Sequence, residues 1–316
     1  AGPAYTEVLG EIFLDLPMMR RFLENYSIRR TFTRQRLLQT LLNCYREWGS
    51  AKSPNIAIVD WREVPTYSEF ELVCEYLQQQ GIAAVIADPR ELIYDGNRLK
   101  TADGFVIDLI YRRVLTNEFL AKISEVQAML AAYRDHNVCV VNPFRSKLLH
   151  KKMLFGLLTA EDLQPLFSEA ERNCIAAHIP WTRQLTPGYT FFAGERIDLL
   201  SWVAANRQQL VLKPNDEYGG KGIYIGWTMD DAAWSKAVAA SVAKDYLVQE
   251  KVEVAYMDFP FFDGQTLRIE RQLVDLDPYV FEGEVEGILT RLSGTELANV
   301  TAGAGIVPTF VMMHKE

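Results

Sequence analysis

Two lysines bracket a glycine-rich run in Leu210-Val211-Leu212-Lys213-Pro214-Asn215-Asp216-Glu217-Tyr218-Gly219-Gly220-Lys221-Gly222-Ile223-Tyr224-Ile225-Gly226. The apolar stretch ahead of Lys213 reads as a strand that presents a lysine. A loop follows, and a second strand returns after it. Glycines let backbone N–H groups close on phosphate oxygens without side-chain interference, and the lysines supply charge against a triphosphate. The chemistry indicated is phosphate cradling. It is not that of a Walker loop, because GxxxxGK[ST] is absent and a strand rather than a helix follows. Taken alone, the segment also fits an ordinary glycine-rich hairpin with a surface lysine.

Two further segments bear on the same chemistry. Tyr246-Leu247-Val248-Gln249-Glu250-Lys251-Val252 reads as an apolar strand whose end turns polar, as a hinge offering backbone groups and a carboxylate to a nucleoside would. Upstream, Lys147, Lys151 and Lys152 precede a helix that closes before His178-Ile179-Pro180-Trp181-Thr182. The order is therefore lysine, "VLKP", glycine loop, "VQE".

The elements that must position these groups fall into two parts. Asn55-Ile56-Ala57-Ile58-Val59-Asp60 is a short apolar run that fits a buried parallel strand, followed by a helix with Ser68 as its cap, Gly81 as its stop, and a second strand over 83–87. That βαβ unit puts Asp60 and Asp88 at the carboxyl ends of their strands, the edge where open α/β sheets bind ligands. Asp95-Gly96 reads as a tight turn, 105–111 as a third strand running into Arg112-Arg113, 118–134 as a helix and 138–141 as a strand. Trp61-Arg62-Glu63-Val64-Pro65 stands where a glycine-rich dinucleotide fingerprint would follow the first strand, which argues against a nicotinamide enzyme. Ahead of all this, apolar residues from Pro17 to Leu42 recur at helical spacing among arginines and suggest one or two amphipathic helices. The expected organisation is a helical segment plus a Rossmann-like α/β domain over 1–140, then a mixed α/β nucleotide-binding domain over 141–316.

Composition limits the partners. The chain of 316 residues carries 33 Lys and Arg against 41 Asp and Glu, a formal charge of −8, with 49% hydrophobic residues. An acidic chain with no long basic run is not a sequence-independent nucleic-acid binder. No apolar run approaches a membrane span and no charged n-region with an apolar h-region opens the chain, so a soluble cytoplasmic protein is expected. Cys44, Cys74, Cys139 and Cys174 are scattered, without CxxC or zinc-ligand spacing.

The ordered set over 142–252 resembles the ATP-grasp superfamily. Segments across most of the chain are similar to the circularly permuted, glutathionylspermidine synthase-like members: "IAIVDWREVPTYSEFE", "VIADPREL", "DLIYRRVLTNEF", "VVNPFRSKLLHKK", "VLKPNDEYGGKG" and "DLDPYVFEGEVEGILTRLS". The resemblance implies an ATP-grasp domain preceded by a Rossmann-like one, and an ATP-dependent carboxylate–amine (or thiol) ligase working through an acyl phosphate with ATP and Mg2+. It does not imply glutathionylspermidine as product, since that label follows the fold. Position by position it places Lys151 or Lys152 and Lys213 on the phosphates. Asn215 joins the nucleotide set; Gly219, Gly220, Lys221 and Gly222 form the phosphate loop, and Gln249, Glu250 and Val252 the adenine and ribose hinge. Arg291 falls near the transferring phosphoryl group, where positioning and charge neutralisation are most of the catalysis. Arg291 and Lys221 are thus the catalytic candidates, and Asn299 the asparagine of the turn that follows. Arg291 is equally suited to pair with Asp275 or Glu284. Arg112 and Arg113 are candidates for a substrate carboxylate, because a planar guanidinium suits it.

The metal ligands depart from the pattern. Magnesium takes hard oxygen ligands. In the permuted family these carboxylates precede a Gly-Pro-Ala-Tyr-like stretch, and here Gly2-Pro3-Ala4-Tyr5 opens the chain. The resemblance therefore implies that the main ligands lie upstream of Ala1, in a longer protein. Asp275 and Asp277, with Glu282, Glu284 and Glu286 in the same alternation, are substitutes that a solvated strand face would equally produce. A non-catalytic nucleotide-binding module or partner subunit stays open as the alternative to a ligase.

Overall fold

The computed structural model describes residues 2–295 and 305–313. The fold class is mixed α/β. Counting only the described residues, the chain divides into two compact units. One comprises residues 2–144, 275–292 and 305–313, the other residues 145–274 and 293–295. Residues 275–292 group with the first part of the chain rather than with the second.

In the first unit, four parallel strands lie in the order Ala84–Ala87, Ile56–Val59, Leu109–Arg112, Cys139–Val141. Strand alternation divides their side chains between two cores. Ile56, Ile58, Leu109 and Tyr111 pack with Leu37, Leu41, Phe70 and Leu77, whereas Ala57, Val59, Ile110 and Val140 pack with Phe119, Val126 and Met129. Asp60 and Asp88 follow directly after the first two strands, as the βαβ reading expects. Asp95 Oδ1 accepts from the amides of Asn97 and Arg98, and Gly96 takes φ +90°, which makes the expected turn.

Local boundaries differ from the sequence reading in four places. The expected strand 105–111 breaks at Asp108 into Val106–Ile107 and Leu109–Arg112, because Asp108 Oδ2 is drawn to the Asn55 amide at 2.9 Å. The helix expected over 118–134 is two, Thr116–Ala121 and Gln127–Arg134. Ser68 is not the cap of its helix, which runs Tyr67–Gln79 from Thr66 with no side-chain cap. A helix at Pro3–Leu14 also went unforeseen. Farther on, Pro17–Asn25 and Thr33–Trp48 are the amphipathic helices, and the first of them buries none of its residues.

The second unit holds an antiparallel sheet in the order Tyr224–Ile225, Leu210–Pro214, Tyr246–Glu250, Thr182–Gln184. Leu210, Leu212 and Val248 face Leu199, Val203, Trp234, Ala237 and Val238 from the helices Leu199–Ala205 and Asp231–Val242. The other face is left to Val211, Lys213, Leu247, Gln249 and Thr182. Beyond it, the hairpin Tyr256–Phe262 with Leu267–Leu273 leaves the sheet. The strand Leu267–Phe281 then continues into the first unit and turns at Glu282-Gly283, with φ of +51° and +89°. Glu282 therefore sits in the turn rather than in the alternating row, and its carboxylate accepts from Asn43 Nδ2 at 2.9 Å.

Among the described residues no helix is long and apolar enough to cross a membrane. All four cysteines are free.

Trp234 is fully buried and its Nε1 donates to the Val203 carbonyl at 2.9 Å. Trp234→Ala is expected to destabilise the second unit by about 3–5 kcal/mol, as large-to-small core substitutions do. Chemical denaturation followed by tryptophan fluorescence and circular dichroism checks this.

Candidate functional site

The second unit brings most of the nucleotide candidates together. Antiparallel register sets Leu247 opposite Lys213 and Thr182 opposite Gln249, so Lys213, Gln249 and Thr182 form a diagonal row on one face. Lys213 Nζ donates to Gln249 Oε1 at 2.6 Å, Gln249 Nε2 donates to Thr182 Oγ1 at 2.9 Å, and Thr182 Oγ1 donates to the Pro180 carbonyl at 2.9 Å. Gln249 is only 5% exposed. Its amide thus orients the Lys213 ammonium, a role that strand alternation predicts once the register is known.

Lys152 reaches the same region from the segment before the helix Met153–Leu158. Asn215, buried at 7% exposure, fixes it there. Its Oδ1 accepts from the Met153 amide at 2.9 Å and its carbonyl from the Lys152 amide at 3.2 Å. Its Nδ2 and amide donate to Asp245 Oδ2 and to the Asp245 carbonyl, both at 2.9 Å. Asn215 thereby acts as a tie between segments, and its side chain is engaged with protein groups.

The charges in this cluster are perturbed as crowding dictates. Burial, and then the neighbouring Lys152, hold the Lys213 ammonium below the ordinary lysine value. Burial lowers Lys152 as well, against the opposing pull of Asp216 and Glu217. Each lysine thus gives up part of its hydration beside the other, which disfavours the charged form of both.

The glycine loop is conformationally committed. Gly219, Gly220 and Gly222 take φ of +70°, +75° and +70°. A Cβ at Gly222 would lie 2.7 Å from the Tyr246 hydroxyl, which donates to the Gly222 carbonyl at 3.0 Å. Lys221 is exposed, its Nζ 5.1 Å from the centre of the Tyr218 ring. The Glu250 amide donates to the Trp181 carbonyl at 2.9 Å, and Val252 is exposed. The sequence reading overlooked Asp216, which pairs with Lys147, Lys151 and His150. The signal was present in "KPND" and "SKLLHKK".

Arg291, Arg112 and Arg113 belong to the first unit. Arg291 donates to Asp275 Oδ2 through Nε at 2.7 Å, and its Nη2 lies 2.9 Å from Asp277 Oδ2. Its partners are therefore Asp275 and Asp277, not Glu284. Burial raises Asp277 above the ordinary aspartate value despite Arg291. Arg112 donates to the carbonyls of Asn142 at 2.8 Å and Val114 at 2.5 Å, over the Phe144 ring. Arg113 pairs at 3.5 Å with Glu69, a fully buried carboxylate, and donates to the Tyr111 hydroxyl at 3.3 Å. Both arginines thus have internal partners at the carboxyl edge of the parallel sheet. At that edge Asp60 also accepts from the Trp61 amide at 2.8 Å, and burial pushes its carboxyl up to about 6. Asn299 lies outside the described residues.

Among the described residues no group of three or more His, Cys, Asp or Glu side chains is placed to hold a metal ion. Asp275 and Asp277 face a guanidinium. The residues described do not by themselves fit a magnesium site.

A lysine lowered on folding makes stability rise with pH between its folded and unfolded values, because the unfolded chain then binds more protons. The stability of the parent relative to Lys213→Met is therefore expected to rise as pH increases toward the ordinary lysine value. Thermal melts of both proteins across that range measure it, and a pH-independent difference contradicts the desolvated ammonium.

No family model matches the chain, and no curated protein matches it in sequence. Solved structures do. A glutathione synthetase-like effector from Globodera pallida aligns at TM-score 0.56 and 14% identity, covering 98% of this chain and 68% of that one. The ATP-grasp ligase PsnB, complexed with a minimal precursor, aligns at 0.41 and 12%, covering 81% of this chain and 90% of that one. The D-cycloserine synthetase DcsG aligns at 0.39 and 16%, with the same two coverages. The chain shares its overall fold with the glutathione synthetase-like effector.

Proposed function

We propose that the chain is an ATP-grasp protein that binds ATP on the second unit and serves an ATP-dependent carboxylate–amine (or thiol) ligase. The observation that carries this is the convergence of Lys152 and Lys213, both incompletely hydrated, beside a loop whose three glycines hold left-handed backbone. Such an arrangement recognises a polyphosphate through charge and backbone N–H groups together.

In this reading Lys213, steered by Gln249, and Lys152, tied down by Asn215, hold the phosphates. The loop Gly219–Gly222 closes over them with Lys221, and the backbone from Gln249 to Val252 meets the nucleoside. Closure would exclude water, which otherwise hydrolyses an acyl phosphate. In the reaction, a carboxylate oxygen displaces ADP from the γ-phosphorus. An amine or thiol then displaces phosphate from the acyl carbon, forming the C–N or C–S bond and releasing a proton. Arg291 is assigned to the phosphoryl group in transfer on the strength of the sequence resemblance. The substrates are small carboxylic acids and amines or thiols, handled in the cytoplasm, with no nucleic acid or membrane partner.

A second reading, a nucleotide-binding module that does not turn over, draws on one observation. The described carboxylates nearest a metal-ligand pattern, Asp275 and Asp277, are both paired with Arg291.

Lys213→Ala is expected to weaken binding of a non-hydrolysable ATP analogue by roughly 10- to 100-fold, the range for losing a charged hydrogen-bonding partner. Arg291→Ala is expected to leave that affinity within about twofold while lowering ADP release in a protein that turns over. Calorimetric titration and a coupled ADP assay measure the two. Parent-like affinity in Lys213→Ala removes the site assignment.

A further inference from the structure

Asp216 is the first acidic residue of the glycine-rich segment, and its carboxylate lies among two lysines and a histidine from a different part of the chain, the histidine held below its ordinary value by burial and by Lys147 and so a neutral hydrogen-bonding partner. Lys147 Nζ pairs with Oδ1, His150 Nδ1 lies 3.4 Å from the same oxygen, and Lys151 Nζ lies 3.6 Å from Oδ2. One residue on, the Glu217 carbonyl accepts from Lys152 Nζ at 2.5 Å. The side chain of Lys147 is only 17% exposed, so its ammonium is held rather than free in solvent. Every one of these contacts lies within the second unit.

From this arrangement we infer that Lys147 and His150 extend the phosphate-binding set, and that Asp216 is an internal anion which an incoming polyphosphate must displace from them. The inference rests on the nucleotide reading given above. Its physical basis is competition. A carboxylate and a phosphate oxygen present the same hard acceptor to an ammonium, and a polyphosphate presents more of them. Asp216 and Glu217 stand only a few residues before the left-handed glycines, so releasing these contacts frees the base of the loop that Gly219, Gly220 and Gly222 form. Together these contacts form a latch that holds the loop to the lysine segment. It also lowers affinity for weakly charged anions, so that a triphosphate gains access more readily than a monophosphate.

The test is calorimetric titration of the full chain with adenylyl imidodiphosphate, comparing the parent with Asp216→Asn, Glu217→Gln and Lys147→Met. Asp216→Asn is expected to bind about fivefold more tightly than the parent, as loss of competing ion pairs of ordinary strength allows. Glu217→Gln removes the same charge from an adjacent residue whose carboxylate makes none of these pairs, and is expected to change affinity by less than about twofold. Lys147→Met in the Asp216→Asn background is expected to lose the gain. Equal tightening in Asp216→Asn and Glu217→Gln means a general charge effect and overturns the inference. Unchanged or weaker binding in Asp216→Asn overturns it too, while parent binding leaves the nucleotide reading standing. A parent that binds no analogue overturns the nucleotide reading and this inference with it.

Discussion

The ammonium of Lys213 sits on a sheet face where little water reaches it, and the second unit is arranged around making that tolerable. Gln249 on the next strand turns its carbonyl oxygen to the ammonium and its NH2 to Thr182 on the strand beyond. A row of hydrogen bonds across three strands thus fixes one cation. The opposite face of the same strands supplies the rigidity, with Trp234 and Val238 filling the space against Leu210, Leu212 and Val248. Burying a cation without a counter-charge is costly.

Asn215 plays the second organising part. It binds backbone on two sides, joining the segment that carries Lys152 to the end of the Lys213 strand and to Asp245. The consequence is that two lysines far apart in sequence share one environment, each depressed by the loss of water and Lys213 further by its neighbour. Asp216, next in the chain, neutralises the outer cations instead. Adjacent residues therefore differ in kind: Asn215 ties two segments together through hydrogen bonds, and Asp216 pairs with basic side chains.

Much of this was legible in the sequence. The apolar runs at 56–59, 84–87, 210–214 and 246–250 are strands because β-branched and leucine-rich runs bounded by turn residues bury well on both faces of a sheet. The glycine-rich run was legible as a loop, and Gly219, Gly220 and Gly222 there take left-handed backbone. What could not be read was register. Nothing local says that Gln249 reaches Lys213 diagonally, or that Asn215 caps the start of the Met153 helix; both follow from pairings between distant segments. The grouping of 275–292 with the first unit is hidden for the same reason, since the strand Leu267–Phe281 is continuous and gives no local sign of changing units. Arg112 and Arg113 looked available for a substrate at the end of their strand. Their partners, backbone carbonyls and the buried Glu69, come from elsewhere in the chain.

The claim on which the account depends is that a nucleotide polyphosphate occupies the face shared by Lys152, Lys213 and the glycine loop. A crystal structure of the protein grown with a non-hydrolysable ATP analogue tests it most directly. The account predicts phosphate oxygens within hydrogen-bond distance of both lysine Nζ atoms and of amides in the 219–222 loop, with the base against the Gln249–Val252 segment. Analogue bound elsewhere, or phosphates that leave Lys213 on Gln249 alone, would contradict it.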